Sequence, residues 1–203
     1  MSDQNQTLGD DIAFMRALAE EGRAGPVAGG SILLASGLSF GTASLAVWAG
    51  VTWRLIRENW EVGVIWTISL AIFLACLFFS KATKTPRGGS SRAIGVAWSG
   101  AGCSIFFVGL SLAVMAVRGN DAYVANAFLP FILVIYGSAW FVAAALTRTH
   151  WLYAVASGSF AMALVTAWFA GDGVTLYLVY ALSLYAFVAA PGFVLMRHAK
   201  AAA

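Results

Sequence analysis

The stretch AFLPFILVIYGSAWFVAAAL, residues 127–146, is followed four residues later by WLYAVASGSFAMALVTAWFA, residues 151–170, and neither holds an Asp, Glu, Lys, Arg or His. Twenty residues at a helical rise of ~1.5 Å each cover ~30 Å, about one hydrocarbon core. The link Thr147-Arg148-Thr149-His150 allows a tight antiparallel helical hairpin, with Thr149 placed to cap the second helix. A water-soluble core helix this long would show charge along one side. These two show none.

Four further runs read the same way: residues 27–53, 62–80, 93–117 and 174–196, again without a charged residue or a histidine. Charged residues make up 10% of the chain, against ~25% in ordinary soluble domains. The expected fold class is an all-α integral membrane protein, a six-transmembrane-helix bundle with a short N-terminal amphipathic helix. Residues 26–197 form the transmembrane domain, residues 1–25 a cytoplasmic N-terminal segment, and residues 198–203 a cytoplasmic tail. Between the last two runs, Gly171-Asp172-Gly173 offers a helix-ending glycine and then a capping aspartate. Spans four, five and six should therefore be neighbours in series.

Residues 10–23 carry Ile12, Phe14, Met15, Leu18 and Ala19 on one side of a helix and Arg16, Glu20, Glu21 and Arg23 on the other. The acidic balance of this segment disfavours adhesion to anionic lipid, so docking beneath the bundle or onto a cytoplasmic partner is expected. A secretory signal would begin with basic residues and a short apolar stretch. This acidic start points instead to an uncleaved first span.

Threading six spans puts Arg16, Arg23, Lys81, Lys84, Arg87, Arg92, Arg148, Arg197 and Lys200 on one side and Arg54, Arg57 and Arg118 on the other. Nine against three places both termini in the cytoplasm. The net charge of +3 comes from residues at span ends and carries no nucleic-acid footprint. With this threading, Trp48, Trp53, Trp60, Trp66 and Trp168 fall toward the outer face and Trp98, Trp140 and Trp151 toward the inner, as in an aromatic belt.

The first span carries Gly29, Leu33, Gly37 and Gly41 at four-residue steps, and the third carries Gly95, Ser99 and Cys103. Small residues at this step let helix backbones approach closely, which matters where no water-driven force holds helices together. Gly29, Gly37, Gly41, Gly95 and Ser99 are therefore the expected helix-packing positions, within the monomer or at a homodimer seam. A Ser-Gly pair recurs in the odd-numbered spans at Ser36-Gly37, Ser99-Gly100 and Ser157-Gly158, as a helical hairpin repeated three times would give.

Tyr136, Tyr180 and Tyr185 lie deep in the fourth and sixth spans, with Ser157 and Ser159 nearby in the fifth. Buried phenols need hydrogen-bond partners. The five pin the bundle together or line a polar cavity for a small uncharged or amphipathic molecule. Pro130 and Pro191-Gly192 are expected kinks near helix ends. His150 and His198 sit outside the apolar runs, and Cys76 and Cys103 differ in depth by more than a disulfide spans. The reading therefore calls for no metal, no cofactor and no catalytic residue, and the two thiols are expected to be free and buried.

The box Asp10-Asp11-Ile12-Ala13-Phe14-Met15-Arg16-Ala17-Leu18-Ala19-Glu20-Glu21-Gly22-Arg23, with the Gly/Ser-rich span after it and the ending Pro191-Gly192-Phe193-Val194-Leu195-Met196-Arg197, resembles small inner-membrane proteins of alphaproteobacteria. The resemblance implies a bacterial inner membrane and no particular activity. Expected partners are the lipid bilayer and either a second copy of the chain or another membrane protein; nucleic acid is not among them. The expected role is structural, accessory or regulatory, with a small permease or binder as the alternative and no enzymatic chemistry. Both ends on the cytoplasmic side predict that a fluorescent protein fused after Ala203 glows in cells while alkaline phosphatase fused there stays inactive. An active phosphatase fusion would reverse the threading.

Overall fold

The computed structural model describes residues 29–80, 89–119 and 122–201, and these are helical apart from short links. The amphipathic segment at 10–23 and most of the basic loop from Lys81 lie outside the described residues. In chain order the helices are α1 (Gly30–Thr52), α2 (Asn59–Ser80), α3 (Gly89–Gly119), the short α4 (Ala122–Asn126), α5 (Phe128–Thr147), α6 (His150–Trp168), α7 (Gly173–Leu184) and α8 (Ala190–Ala201). A π-helical turn, Tyr185–Ala189, joins α7 to α8 within one continuous rod. Among the described residues six stretches are long and apolar enough to cross a membrane, the sixth running from Gly173 to His198. The chain is thus a multi-pass membrane protein of the all-α class.

Local chemistry sets the helix ends. Asp172 caps α7: its carboxylate accepts from the Thr175 amide at 3.4 Å and from the Thr175 hydroxyl at 2.6 Å. The Thr175 hydroxyl and then its amide, both donating, hold the Asp172 carboxyl below its ordinary range. Glu61 ties off the start of α2 by accepting from the amides of Arg57 and Glu58. Thr149 occupies the N-cap of α6, but its hydroxyl donates to the Thr147 carbonyl rather than receiving a helix amide. The hairpin turns instead through Arg148, whose φ of 53° closes α5 in the left-handed region. Pro130 is the third residue of α5, and the fourth span, which starts at Val124, is interrupted at Ala127, as suits a residue with no amide to give the Asn126 carbonyl.

The expected six-helix bundle is divided unequally. The rod α7–π–α8 packs against α1 and α6, and α6 pairs along its length with α5. In contrast α2 leans mainly on α1, and α3 on α5 and α4. Within their most apolar windows α2 is 6% buried and α3 not at all, against 56% for the fourth span. Four spans make the core and two flank it.

Glycines of α1 determine how closely the core closes. A Cβ on Gly37 would lie 2.5 Å from the Ala189 amide, one on Gly30 2.8 Å from the Gly192 carbonyl, and one on Gly41 2.9 Å from the Tyr185 ring. Backbone meets backbone again at Gly192, whose Cβ would stand 2.6 Å from the Leu34 amide. This seam lies between the first and last spans of one chain. Gly29 is not part of it: it forms the N-cap of α1 with φ 109°, and no described residue lies within 4 Å of where its Cβ would stand. The third-span stripe differs as well. Gly95 has no described residue within 4 Å of where its Cβ would stand, and the Ser99 hydroxyl donates to the Gly95 carbonyl of its own helix. Gly95 and Ser99 therefore face outward instead of packing.

The aromatic belt also needs amending. Trp53, Trp60 and Trp168 are exposed near span ends, but Trp140 is fully buried in the core. Cys76 and Cys103 are free, as expected, yet exposed rather than buried. Both positions follow from the peripheral placement of those two helices.

Replacing Gly37 by leucine should lower unfolding stability in detergent by about 1–3 kcal/mol, the cost of overpacking a closed contact. The same change at Gly95 should stay within about 0.5 kcal/mol, as for an open surface position. Thermal unfolding of the two variants side by side measures both, and equal losses would contradict the seam.

Candidate functional site

The sixth span changes helical register at Tyr185–Ala189, and the cause is two residues further on. In an α-helix the amide of residue 191 would bond the carbonyl of Phe187. Pro191 has no amide hydrogen, and its ring crowds that carbonyl. The Ala190 amide instead reaches the Tyr185 carbonyl, five residues back. Trp140 of α5 supplies the missing donor: its Nε1 lies 2.9 Å from the Phe187 carbonyl oxygen. Gly37 and Gly41 close on the turn from α1, and Gly158 of α6 faces the Phe187 ring so closely that a side chain there would collide. Three helices grip one irregular turn. π-Turns of this kind recur at functional sites.

Hydroxyl groups link α1 to its neighbours. Ser44 donates to the Tyr177 carbonyl of α7 at 2.8 Å, and Ser36 accepts from the Tyr136 hydroxyl of α5 at 3.3 Å. Ser39 donates to the Ser69 carbonyl of α2 at 2.9 Å, with the two serine oxygens 3.0 Å apart. The Thr42 and Tyr185 hydroxyls lie 3.0 Å apart. Most hydroxyls elsewhere behave differently: Thr67, Ser99, Ser111, Ser138, Ser159, Thr166 and Ser183 each donate to the carbonyl four residues back in their own helix. The polar reach of this protein is concentrated on its first span.

The five residues proposed to line a cavity do not meet around one. Tyr136 and Tyr180 are buried in the packed core, where Trp140, Leu152, Leu176 and Leu184 are also almost fully enclosed. Ser159 is buried and bonded within α6, while Ser157 is exposed on the outside of that helix. Tyr185 points the other way, toward Thr42 on α1. Depth along a span is readable from residue number, but the direction around the helix axis depends on packing, and packing turns Tyr185 and Ser157 away from the buried Tyr136, Tyr180 and Ser159. Gly137 and Gly158 meet the rings of Phe160 and Phe187, so the fourth, fifth and sixth spans interlock.

Space opens elsewhere, in a cleft of about 690 Å³ between α1 and α2. Leu34, Leu38, Ala46, Ile65, Ile68 and Ile72 supply most of its wall, with Ser39, Thr42 and Ser69 as its hydroxyls and Cys76 toward one end. Sequence reasoning missed this site. Its one signal was the density of hydroxyls in α1, where Ser36, Ser39, Thr42 and Ser44 fall within nine residues of a charge-free span.

On the far side of the core, the Trp98 ring of α3 stands edge-on to Trp140 with centroids 4.9 Å apart and also contacts Tyr136. Its Nε1 is buried without a partner. His150 and His198 are exposed, and the described residues hold no group of three or more His, Cys, Asp or Glu with metal-binding proximity. Among the described residues the geometry is that of a multi-pass helical membrane protein with an irregular core turn and an apolar, hydroxyl-bearing cleft. No family model, curated protein or solved structure matches the chain.

Changing Trp140 to phenylalanine should destabilise the protein by roughly 1–3 kcal/mol, because the Phe187 carbonyl loses its donor inside a dry core. In a Pro191→Ala background, where residue 191 regains an amide, the same change should cost less. A double-mutant cycle by denaturant unfolding measures the difference, and equal costs in both backgrounds would refute the compensation.

Proposed function

We propose that this chain is a structural, accessory or regulatory component of a bacterial inner membrane, with both termini cytoplasmic, and that it works by association rather than by chemistry. The observation that carries this reading is the unequal division of its spans. A core of four spans holds itself together, while α2 and α3 present most of their length outward. Neither helix is needed to close the glycine seam or the π-turn, so both are available to a transmembrane neighbour. The charge-free spans support the same reading, since ion coupling and intramembrane catalysis ordinarily use ionisable groups at depth.

A second reading has a specific observation behind it. The cleft between α1 and α2 fits a small binder or permease for an uncharged or amphipathic molecule, within the size range usual for ligand sites. Tyr136 and Tyr180 do not serve that purpose, for they lie in solid packing, while Tyr185 bonds the cleft-lining Thr42.

Association is tested in intact membranes through the native thiols, Cys76 on α2 and Cys103 on α3, with a membrane-permeant bismaleimide. The expected outcome is a discrete adduct, either at twice the chain mass or with one defined membrane protein, lost in the Cys76→Ser, Cys103→Ser double variant. Uncrosslinked monomer throughout, under conditions that fully label both thiols, would defeat the reading.

A further inference from the structure

We propose that the cleft between α1 and α2 binds a membrane-dissolved, uncharged lipophile bearing a hydrogen-bond-accepting carbonyl, with the Thr42 hydroxyl as the donor that recognises it. This rests on the small-molecule reading above and gives it a ligand class. The first argument counts protons. The Thr42 and Tyr185 hydroxyls own two between them, and the bond they share uses one. A phenol is the stronger acid and the better donor, so Tyr185 donates and Thr42 keeps its own proton. Among the described residues Thr42 bonds across to Tyr185 rather than back to its own helix, unlike Thr52, Thr67, Thr147 and Thr166. Thr42 is exposed and lines the cleft, so the spare proton has the cleft to point into.

The second argument is depth. Thr42 lies twelve residues into α1 and Ser69 ten residues into α2. At ~1.5 Å per residue these are ~18 Å and ~15 Å along spans of roughly 33 Å, close to the middle of the bilayer. Bilayer phospholipids keep their ester carbonyls at the interface, so an ordinary acyl chain brings no acceptor to that level. A donor at mid-depth in hydrocarbon has no water to satisfy it. The third argument is charge. Among the described residues the cleft is lined by hydroxyls, a thiol, the Met196 thioether and aliphatic groups and by no carboxylate or amine, so a charged ligand would meet no counter-ion there. Ser39 and Ser69 satisfy each other and serve as the clasp that holds α2 in place, leaving Thr42 as the open contact.

The probe is para-decyl benzophenone in proteoliposomes of zwitterionic lipid. Its ketone is both the acceptor and the photoreactive group that inserts into neighbouring C–H bonds. The expected result is adducts concentrated on cleft-lining residues of α1 and α2, such as Leu38, Ile68 and Ile72, when the irradiated protein is mapped by mass spectrometry. Probe binding should also slow maleimide labelling of Cys76, which lines the cleft, and leave Cys103 on α3 unaffected. Thr42→Val, which keeps shape and removes the hydroxyl, should cut cleft adducts roughly 2- to 10-fold, the worth of one hydrogen bond. Thr42→Ser should restore them, and Ala46→Leu, which fills the cleft, should abolish them without touching the donor. A decyl chain lacking the ketone should not compete. Adducts in the cleft that ignore Thr42→Val would overturn the carbonyl recognition while leaving a lipophile site. Adducts spread over α2 and α3 in proportion to exposure would overturn the site as well.

Discussion

The arrangement of the core depends on a donor that Pro191 lacks. Removing one amide from inside a span leaves the Phe187 carbonyl without a helical partner, in a medium that offers no water. The fold answers with a shift to π register and with the Trp140 indole N–H from another span. That single interaction sets the rotation of α5 against the sixth span, and α6 must then bring Gly158, the residue that tolerates the Phe187 ring. On the opposite side the same turn presents Ala189 and Tyr185 to Gly37 and Gly41. A defect in one helix thereby becomes the place where four spans agree on their register.

Association of helices in lipid gains little from hiding apolar surface, since the surroundings are equally apolar. This chain compensates along α1 with close backbone contact on one side and hydroxyl bridges on the others. The bridges from Ser36, Ser39, Thr42 and Ser44 go to four different partners, namely α5, α2, the π-turn and α7. Helices without such bridges, α3 above all, have less to hold them to a fixed position. The open flank and the closed core thus share one cause, the distribution of small and hydroxylated residues among spans of similar hydrophobicity.

That cause also explains which features could be read from the chain. Span number, span limits, the tight turn at Arg148 and the cap at Asp172 follow from charges and from local side-chain chemistry, both visible in the order of residues. The seam at Gly37 and Gly41 was visible as a stripe. Its partner was not, and the similar stripe at Gly95 and Ser99 faces outward. In water, polar residues mark the exposed side of a helix; in lipid, buried and exposed sides are both apolar, and the mark disappears. Hence Trp140 reads as an interfacial ring although it sits in the core, and Tyr136, Tyr180 and Tyr185 read as one group although the first two lie in the core and Tyr185 bonds Thr42 beside the cleft. The cleft depends on how far α2 stands from α1, a quantity no local pattern carries.

The glycine seam joins the first span to the last, and so has a consequence for biogenesis. The Thr42–Tyr185 contact closes a separation of 143 residues. At translation rates of ~5–20 residues per second, α1 waits roughly 7–30 s in the bilayer before its partner emerges from the ribosome. During that interval its close-packing face is bare, and the nascent protein depends on the insertion machinery or on lipid to shield it. Closure of the seam is therefore a late event, gated by arrival of the rod that carries the π-turn.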